Sequence, residues 1–305
     1  NCALNLLMPL PYCDGKIYPV EIRRAGSSQP LNRGVFDFQY QPKFLPLCVD
    51  VLIEPSLGLR ARRILSLLRP ETVIGGRMIR MGNDNDGGYV MLDHGLDSTV
   101  ALSLGISDDV SWDLGMAARN NRILQYDHTI TSPPEAHPNF FWKKLGIQGS
   151  PAEEGFVTID SVIRENELQD NNHLVLKMDI EGCEWGVFNS IESAVLQQFS
   201  QIVFEAHCLV RLADDALYLS IVGALKTLHK THQLIHVHAN NYGPLVIAGG
   251  VPIASAYEFT YVRRNDHEFE ECVNDFPTAL DRPCNPFVAD IYLGHMGRVP
   301  AVFDS

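Results

Sequence analysis

One stretch, residues 173–188 (HLVLKMDIEGCEWGVF), constrains the fold more than any other part of the chain. Leu174, Val175 and Leu176 form an apolar run with little alternation. That pattern suits a strand covered on both faces, as in a parallel α/β sheet. The run reaches Asp179 within a strand's length, and Glu181, Gly182 and Glu184 then lead into a helical pattern. In open α/β sheets ligands sit beyond the carboxyl ends of the strands, which is where Asp179 falls. Asp is also a common helix N-cap, so Asp179 alone does not separate a ligand contact from a cap.

Similar units lie on either side. Residues 99–104 (TVALSL) read as a core strand, followed by Gly105 and a helix over about 109–120. Strand, glycine, helix is the first unit of a nucleotide-type fold, because glycine lets the backbone approach a cofactor. Residues 122–126 form a second strand that ends in Asp127, about 20 residues past the glycine turn, where an acid can accept from ribose hydroxyls. The triple-glycine pattern of nicotinamide-binding sites is absent, which argues against a pyrophosphate at the helix N-terminus. Phe140, Phe141, Trp142 and Leu145 read as a short helix with an aromatic face. Further strands are expected at 156–159, 173–178, 201–204, 234–238 and 258–262, with a long amphipathic helix over 213–230. Glu205 and His207 end the fifth strand, and HVHANN ends the sixth. Seven strands with helices between them predict a Rossmann-like, doubly wound α/β sheet.

Residues 80–90 (RMGNDNDGGYV) crowd Asn, Asp and Gly ahead of an apolar run, which predicts a tight turn into a strand. An EF-hand does not fit: with Gly87 as the sixth position, Gly82 falls where the first carboxylate is needed and Asp93 stands in place of the last Glu. The turn is either a plain hairpin or a backbone-rich loop against a ligand, with Asp86, Gly87 and Gly88 as its contacts. Residues 1–55 are broken by seven prolines. A helix is expected from Ser56 to its stop before Pro70. The expected organisation is an irregular N-terminal extension, 1–70, packed on a main domain, 71–305.

The net charge of −13 repels nucleic acid, and no basic stripe reverses it. No stretch approaches ~18 consecutive apolar residues, so no transmembrane segment is expected. The chain starts at Asn1 rather than Met, which suggests removal of an upstream segment. Of seven cysteines, Cys183 and Cys208 fall in expected core. Cys2, Cys13, Cys48, Cys272 and Cys284 lie in loop-like flanks, which suggests two disulfides, with Cys272–Cys284 and Cys2–Cys13 as candidate pairs. That predicts a secretory lumen or extracellular location, with the cytoplasm as the alternative.

LVLKMDIEGCEWGVF resembles the Lys-x-Asp-x-Glu-Gly-x-Glu signature of FkbM-type methyltransferases. VTIDS, NDGGYVM, SLGISDDVSWD, FEAHCL, HVHANN and EFTYVR are similar to further elements of the eukaryotic-like branch, over roughly residues 80–263. The resemblance implies a class I fold and an S-adenosylmethionine-dependent methyltransferase, most naturally acting on a hydroxyl of a sugar, glycan or small molecule. It implies that Gly105 lies against the cofactor, Asp127 on its ribose and Asp179 at the reacting edge. Ser107 replaces a second glycine often found in the cofactor turn.

Methyl transfer from a sulfonium is an in-line displacement that needs alignment and a deprotonated nucleophile. A sugar hydroxyl is a very weak acid, so a base or a metal must assist. Asp179, Glu205 and His207 are the candidates. Either His207 acts as general base, which is preferred by a narrow margin, or the three hold a divalent metal. The alternative to an enzyme is a catalytically inactive binding or scaffold domain on the same fold.

Overall fold

The structure, a computed structural model, describes residues 17–20, 36–39 and 49–296. The chain divides into two compact units, 1–46 and 47–305. In the first, strands Ile17–Val20 and Phe36–Gln39 pair antiparallel. Most of the expected N-terminal extension, with Cys2, Cys13 and Cys48, lies outside the described residues.

In the second unit, eight strands form one sheet among the described residues. They are β1 (Val49–Leu52), β2 (Val100–Leu104), β3 (Arg122–Tyr126), β4 (Phe140–Lys143), β5 (Leu174–Met178), β6 (Phe199–Ala206), β7 (His232–Ala248) and β8 (Val251–Arg263). Their spatial order is β1-β7-β8-β6-β5-β2-β3-β4. Every neighbouring pair is parallel except β7–β8 and β8–β6, so the sheet has a parallel half and an antiparallel insert.

The parallel half follows from its sequence. All five residues of β5 are buried, as the unbroken apolar run requires. Leu174, Leu176 and Met178 face one layer and Val175 the other, because side chains alternate along a strand. The first layer holds helices α1 (Pro55–Leu67), α3 (Ile159–Glu165), α4 (Glu184–Ser190) and α6 (Asp215–His229), with the one-turn α5 (Ser193–Leu196) between the last two. They supply Ala61, Ile64, Val162, Trp185, Phe188, Ile221 and Leu225 to the core. The second layer holds α2 (Ser111–Ala117) and a hairpin of Met78–Met81 and Tyr89–Leu92. These pack Trp112, Met116, Tyr89 and Met91 against Ala101, Ile123 and Val203. Truncating a fully buried ring such as Phe188 to Ala should cost about 3–5 kcal/mol. The expected class of sheet is present, but not its strand count.

Three differences have physical causes. The expected helix at 140–145 is instead the edge strand β4, whose side chains alternate half-buried and exposed. Aromatic residues suit such a pleated, half-covered surface, and the Arg122 guanidinium stands 4.7 Å from the Phe141 ring centre. The expected strand at 156–159 shrinks to Phe156–Val157, which pairs with Gly146–Ile147 outside the main sheet. Thr158 caps α3 there in a capping box with Ser161. Finally, β7 and β8 extend well beyond 234–238 and 258–262 into one long hairpin that turns at Gly249 and Gly250.

The cysteine expectations also change. Cys272 and Cys284 are buried free thiols, so the expected bond between them is not formed. Cys183 is exposed at the start of α4 and Cys208 is half-buried after β6, so neither is in the core. The tail after Glu271 is fastened by β7 instead of by a disulfide. His236 Nε2 donates to Asp281 at 2.8 Å, and His238 Nε2 donates to Asp290 at 3.1 Å. Asn241 Nδ2 donates to the carbonyls of Asn285, Val288 and Ala289, and Asn241 Oδ1 accepts from the Asn285 amide. Among the described residues no helix is long and apolar enough to cross a membrane.

Candidate active site

A cleft of about 760 Å³ opens at the carboxyl ends of β2, β3 and β5. Gly105 sits at its floor with φ +74, and a Cβ there would come within 1.6 Å of the Asp179 carbonyl oxygen. Glycine is therefore required for β2 to pass β5 closely enough to form this floor. Lys177, buried on β5, donates its ammonium to the Gly105 carbonyl. Ser107 follows in the left-handed region at φ +43 and also lines the cleft.

Asp127 is at the end of β3 and lines the cleft, as its strand-end position predicted. Its Oδ2 accepts from the amides of Ile106 and Ser107 at 2.9 and 2.8 Å. Its Oδ1 accepts from the Thr129 amide and hydroxyl at 2.7 and 2.6 Å. Burial raises the carboxyl pKa, but the bonds from Thr129, Ser107 and Ile106 outweigh it and hold the group below its ordinary value. The carboxylate is thus committed to the shape of the glycine turn, with about four acceptor positions already used.

The Asn/Asp/Gly loop is both a hairpin turn and a wall of the cleft. Asn83, Asp86 and Gly87 line the cavity, and Arg80 ties the loop by donating to the Asn83 and Asn85 carbonyls. Gly88 is not part of the lining. A Cβ there would lie 1.9 Å from the Asn83 carbonyl, so this glycine closes the turn. Burial, followed by the charges of Glu258 and Asp179, pushes the Asp86 carboxyl up to about 6.

The strand-to-helix motif builds the reacting edge. Glu181 and Gly182 take φ +56 and +104, which swings the chain away from β5. Fully buried Glu184 reaches back, and its Oε1 accepts from the Ile180 and Gly182 amides and from His207 Nδ1 at 3.0 Å. Trp185 Nε1 donates to the His207 carbonyl and fixes the segment after β6.

His207 Nε2 therefore points at three carboxylates: Glu205 at 3.5 Å, Glu181 at 3.5 Å and Asp179 at 3.8 Å. These are at or beyond hydrogen-bond reach. Asp179 Oδ1 is buried and accepts no hydrogen bond. Asp179, Glu205 and His207 each present a ligand atom within 4.8 Å of the others. Sequence position had suggested this convergence, and the structure brings the three together. Burial alone would lower the His207 pKa, but the bond to Glu184 and the charges of Glu184, Glu205 and Asp179 push it up to about 10. While both ring nitrogens are protonated the imidazole can neither take an acceptor's proton nor bind a cation, so either role requires Nε2 to give up its proton while Nδ1–H stays on Glu184.

Carboxylates dominate the cleft wall: Asp86, Asp108, Asp109, Asp113, Asp127, Asp179 and Glu181 stand against the ammonium of Lys177. Sequence reasoning missed the roles of Lys177, Glu184 and Glu258. The first two stood inside the quoted motif, but the Gly105 carbonyl that Lys177 holds and the His207 ring that Glu184 holds lie outside it.

A parallel sheet with a glycine turn after its first central strand, an acid after the next and a cleft across their ends defines a Rossmann-like, class I methyltransferase type of domain. Residues 94–215 match the Methyltransferase FkbM domain. S-adenosylmethionine is the general methyl donor of that family. No curated protein matches the chain. The matched stretch includes Gly105, Asp127, Asp179, Glu205 and His207, and leaves out the Asp86 loop and the β7–β8 hairpin.

Proposed function

We propose that this methyltransferase transfers the methyl group of S-adenosylmethionine to a hydroxyl oxygen of a sugar, glycan or small molecule. The observation that carries the reading is the charge of the cleft. A wall with an excess of carboxylates suits a cofactor bearing a sulfonium and an ammonium, and disfavours the pyrophosphate of a nicotinamide dinucleotide. The cavity falls within the roughly 300–1,000 Å³ range of small-molecule sites. Gly105 and Ser107 offer backbone against the cofactor, and Ile147 and Phe156 give the same cleft an apolar side.

Asp179, Glu205 and His207 are the residues that would hold a divalent cation at the reacting edge. The orphaned Asp179 Oδ1 and the 3.5–3.8 Å spread of oxygens around His207 Nε2 support that assignment over a lone histidine base. When bound, such a cation lowers the pKa of a hydroxyl, while the cofactor supplies the electrophilic methyl group. Glu184 holds the imidazole plane, and Asn240 Nδ2 donates to Glu205 Oε1 at 2.7 Å and fixes that carboxylate. Lys177 and Asp127 keep the turn over Gly105 in shape, so that cofactor and acceptor meet in line.

The test is calorimetric titration with S-adenosylhomocysteine and with NAD, followed by turnover of hydroxylated acceptors after exhaustive chelation. Binding of the first ligand alone, with turnover restored by Mn²⁺, is the expected result. Binding of NAD alone would remove the reading, and full turnover without metal would return His207 to the role of base.

A further inference from the structure

Behind the cleft lies a second cluster that methyl transfer does not use. His238 on β7, Glu258 on β8 and Cys284 in the tail are all buried. Glu258 is the register partner of His238 on one side and of Glu205 on the other. His238 Nδ1 lies 2.7 Å from Glu258 Oε2. Cys284 Sγ lies 3.4 Å from Glu258 Oε1 and 3.9 Å from His238 Nδ1. The far ring nitrogen of His238 donates to Asp290. An imidazole oriented from outside by a carboxylate, with its inner nitrogen facing a thiol and a second carboxylate, is the usual setting of a metal-ligating histidine.

The donor set narrows the metal. Sulfur, nitrogen and oxygen donors together suit a borderline ion such as Zn²⁺, whereas Mg²⁺ and Ca²⁺ favour oxygen throughout. In a tetrahedral site with bonds of about 2.0–2.3 Å, neighbouring ligand atoms stand roughly 3.3–3.7 Å apart. The 3.4 Å spacing from sulfur to Glu258 falls in that range, and the 3.9 Å spacing to His238 lies just beyond it. Charge points the same way. Glu205 and Glu258 are buried directly opposite one another on adjacent strands, an arrangement that is unfavourable without a cation. The Asp86 carboxylate lies within 4.8 Å of both.

We propose that His238, Glu258 and Cys284 bind a zinc-class divalent ion that pins the irregular tail to the β7–β8 hairpin. Asp86 is the next oxygen ligand in reach. The site is separate from Asp179 and His207, so it stands whether or not a metal assists methyl transfer.

The test titrates metal-stripped, full-length protein with Co²⁺. One equivalent should produce an intense near-ultraviolet sulfur-to-cobalt band that added Zn²⁺ removes. The band should be absent in Cys284→Ser and kept in Cys208→Ser and Asp179→Asn. A wild-type titration without the band, or an unchanged band in Cys284→Ser, overturns the proposal. If Cys284→Ser does not fold, X-ray absorption of the zinc-loaded wild type decides. A sulfur scatterer at about 2.3 Å beside nitrogen or oxygen at about 2.0 Å supports the site. A shell of nitrogen and oxygen alone, or no retained zinc, overturns it.

Discussion

Two histidines, one just past the end of β6 and the other within β7, mark the molecule's two halves. His207 belongs to the parallel half. One ring nitrogen is held by Glu184, and the other faces three carboxylates at 3.5 Å or more beside the cleft. His238 belongs to the antiparallel insert, and both its nitrogens are within 3.1 Å of carboxylates, with 1% of its side chain exposed. The same residue type with the same kind of partners is left open in one place and closed in the other. The open geometry of His207 leaves its ring within reach of a ligand that enters the cleft, whereas the enclosed ring of His238 joins distant parts of the chain.

The comparison predicts unequal losses of stability for the two alanine variants. His238→Ala strands buried Glu258 and frees Asp290, so urea unfolding should show a loss of about 3–5 kcal/mol. His207→Ala leaves Glu184 its amide donors, so the same measurement should show about 1–3 kcal/mol. Equal losses would erase the distinction between the halves. Asp179→Asn should sharpen it, with a fall in turnover of about 100-fold and an unfolding midpoint close to wild type. A large drop in midpoint would make Asp179 a structural residue.

A third histidine on the hairpin gives a pH test away from both clusters. Burial pushes His232 down to about 4, with its Nε2 donating to the Phe199 carbonyl at 2.8 Å. Burial pushes His229 to about 4 as well. An unfolded histidine titrates near 6.5, so below that pH the unfolded chain takes up protons that the folded chain refuses. Stability should therefore be flat in these groups above about pH 6.5 and fall as the pH drops toward 4. His232→Gln should flatten that slope, as melting curves across the range would show; an unchanged slope would clear His232 of the effect. The smallest effect is expected at exposed Cys183. Serine there should change stability by no more than about 0.5 kcal/mol, and a larger loss would mean that the thiol has a partner.

The parallel half was legible because β2, β3 and β5 are apolar runs that stop at Gly105, Asp127 and Asp179, so strand and strand end are visible together. Convergence of Asp179, Glu205 and His207 followed from neighbouring strands lying about 5 Å apart. The insert was much less legible. Ten consecutive residues of β7, from His232 to Asn241, are buried although His, Gln and Asn recur among them. Hydrophobic periodicity cannot mark such a strand, because the partners of its polar side chains are remote: His236, His238 and Asn241 bond the tail, His232 the Phe199 carbonyl and Asn240 the Glu205 carboxylate. The same reason hid the tail's fastening and made Cys272 and Cys284 look like a disulfide. Phe140–Lys143 misled differently, since an aromatic cluster of four suits a short helix as well as an edge strand.

The eight residues of β6 are all buried, with β8 lying along the strand's outer side. A fragment cut to the matched stretch, 94–215, would keep β6 and discard β8. It would present a long, apolar, unpaired edge, the kind of surface on which chains add to one another. The segment that sequence comparison treats as a unit of inheritance is therefore not a unit of folding. Recombinant work on this protein has to carry the chain through its C-terminal tail to obtain a dispersed domain.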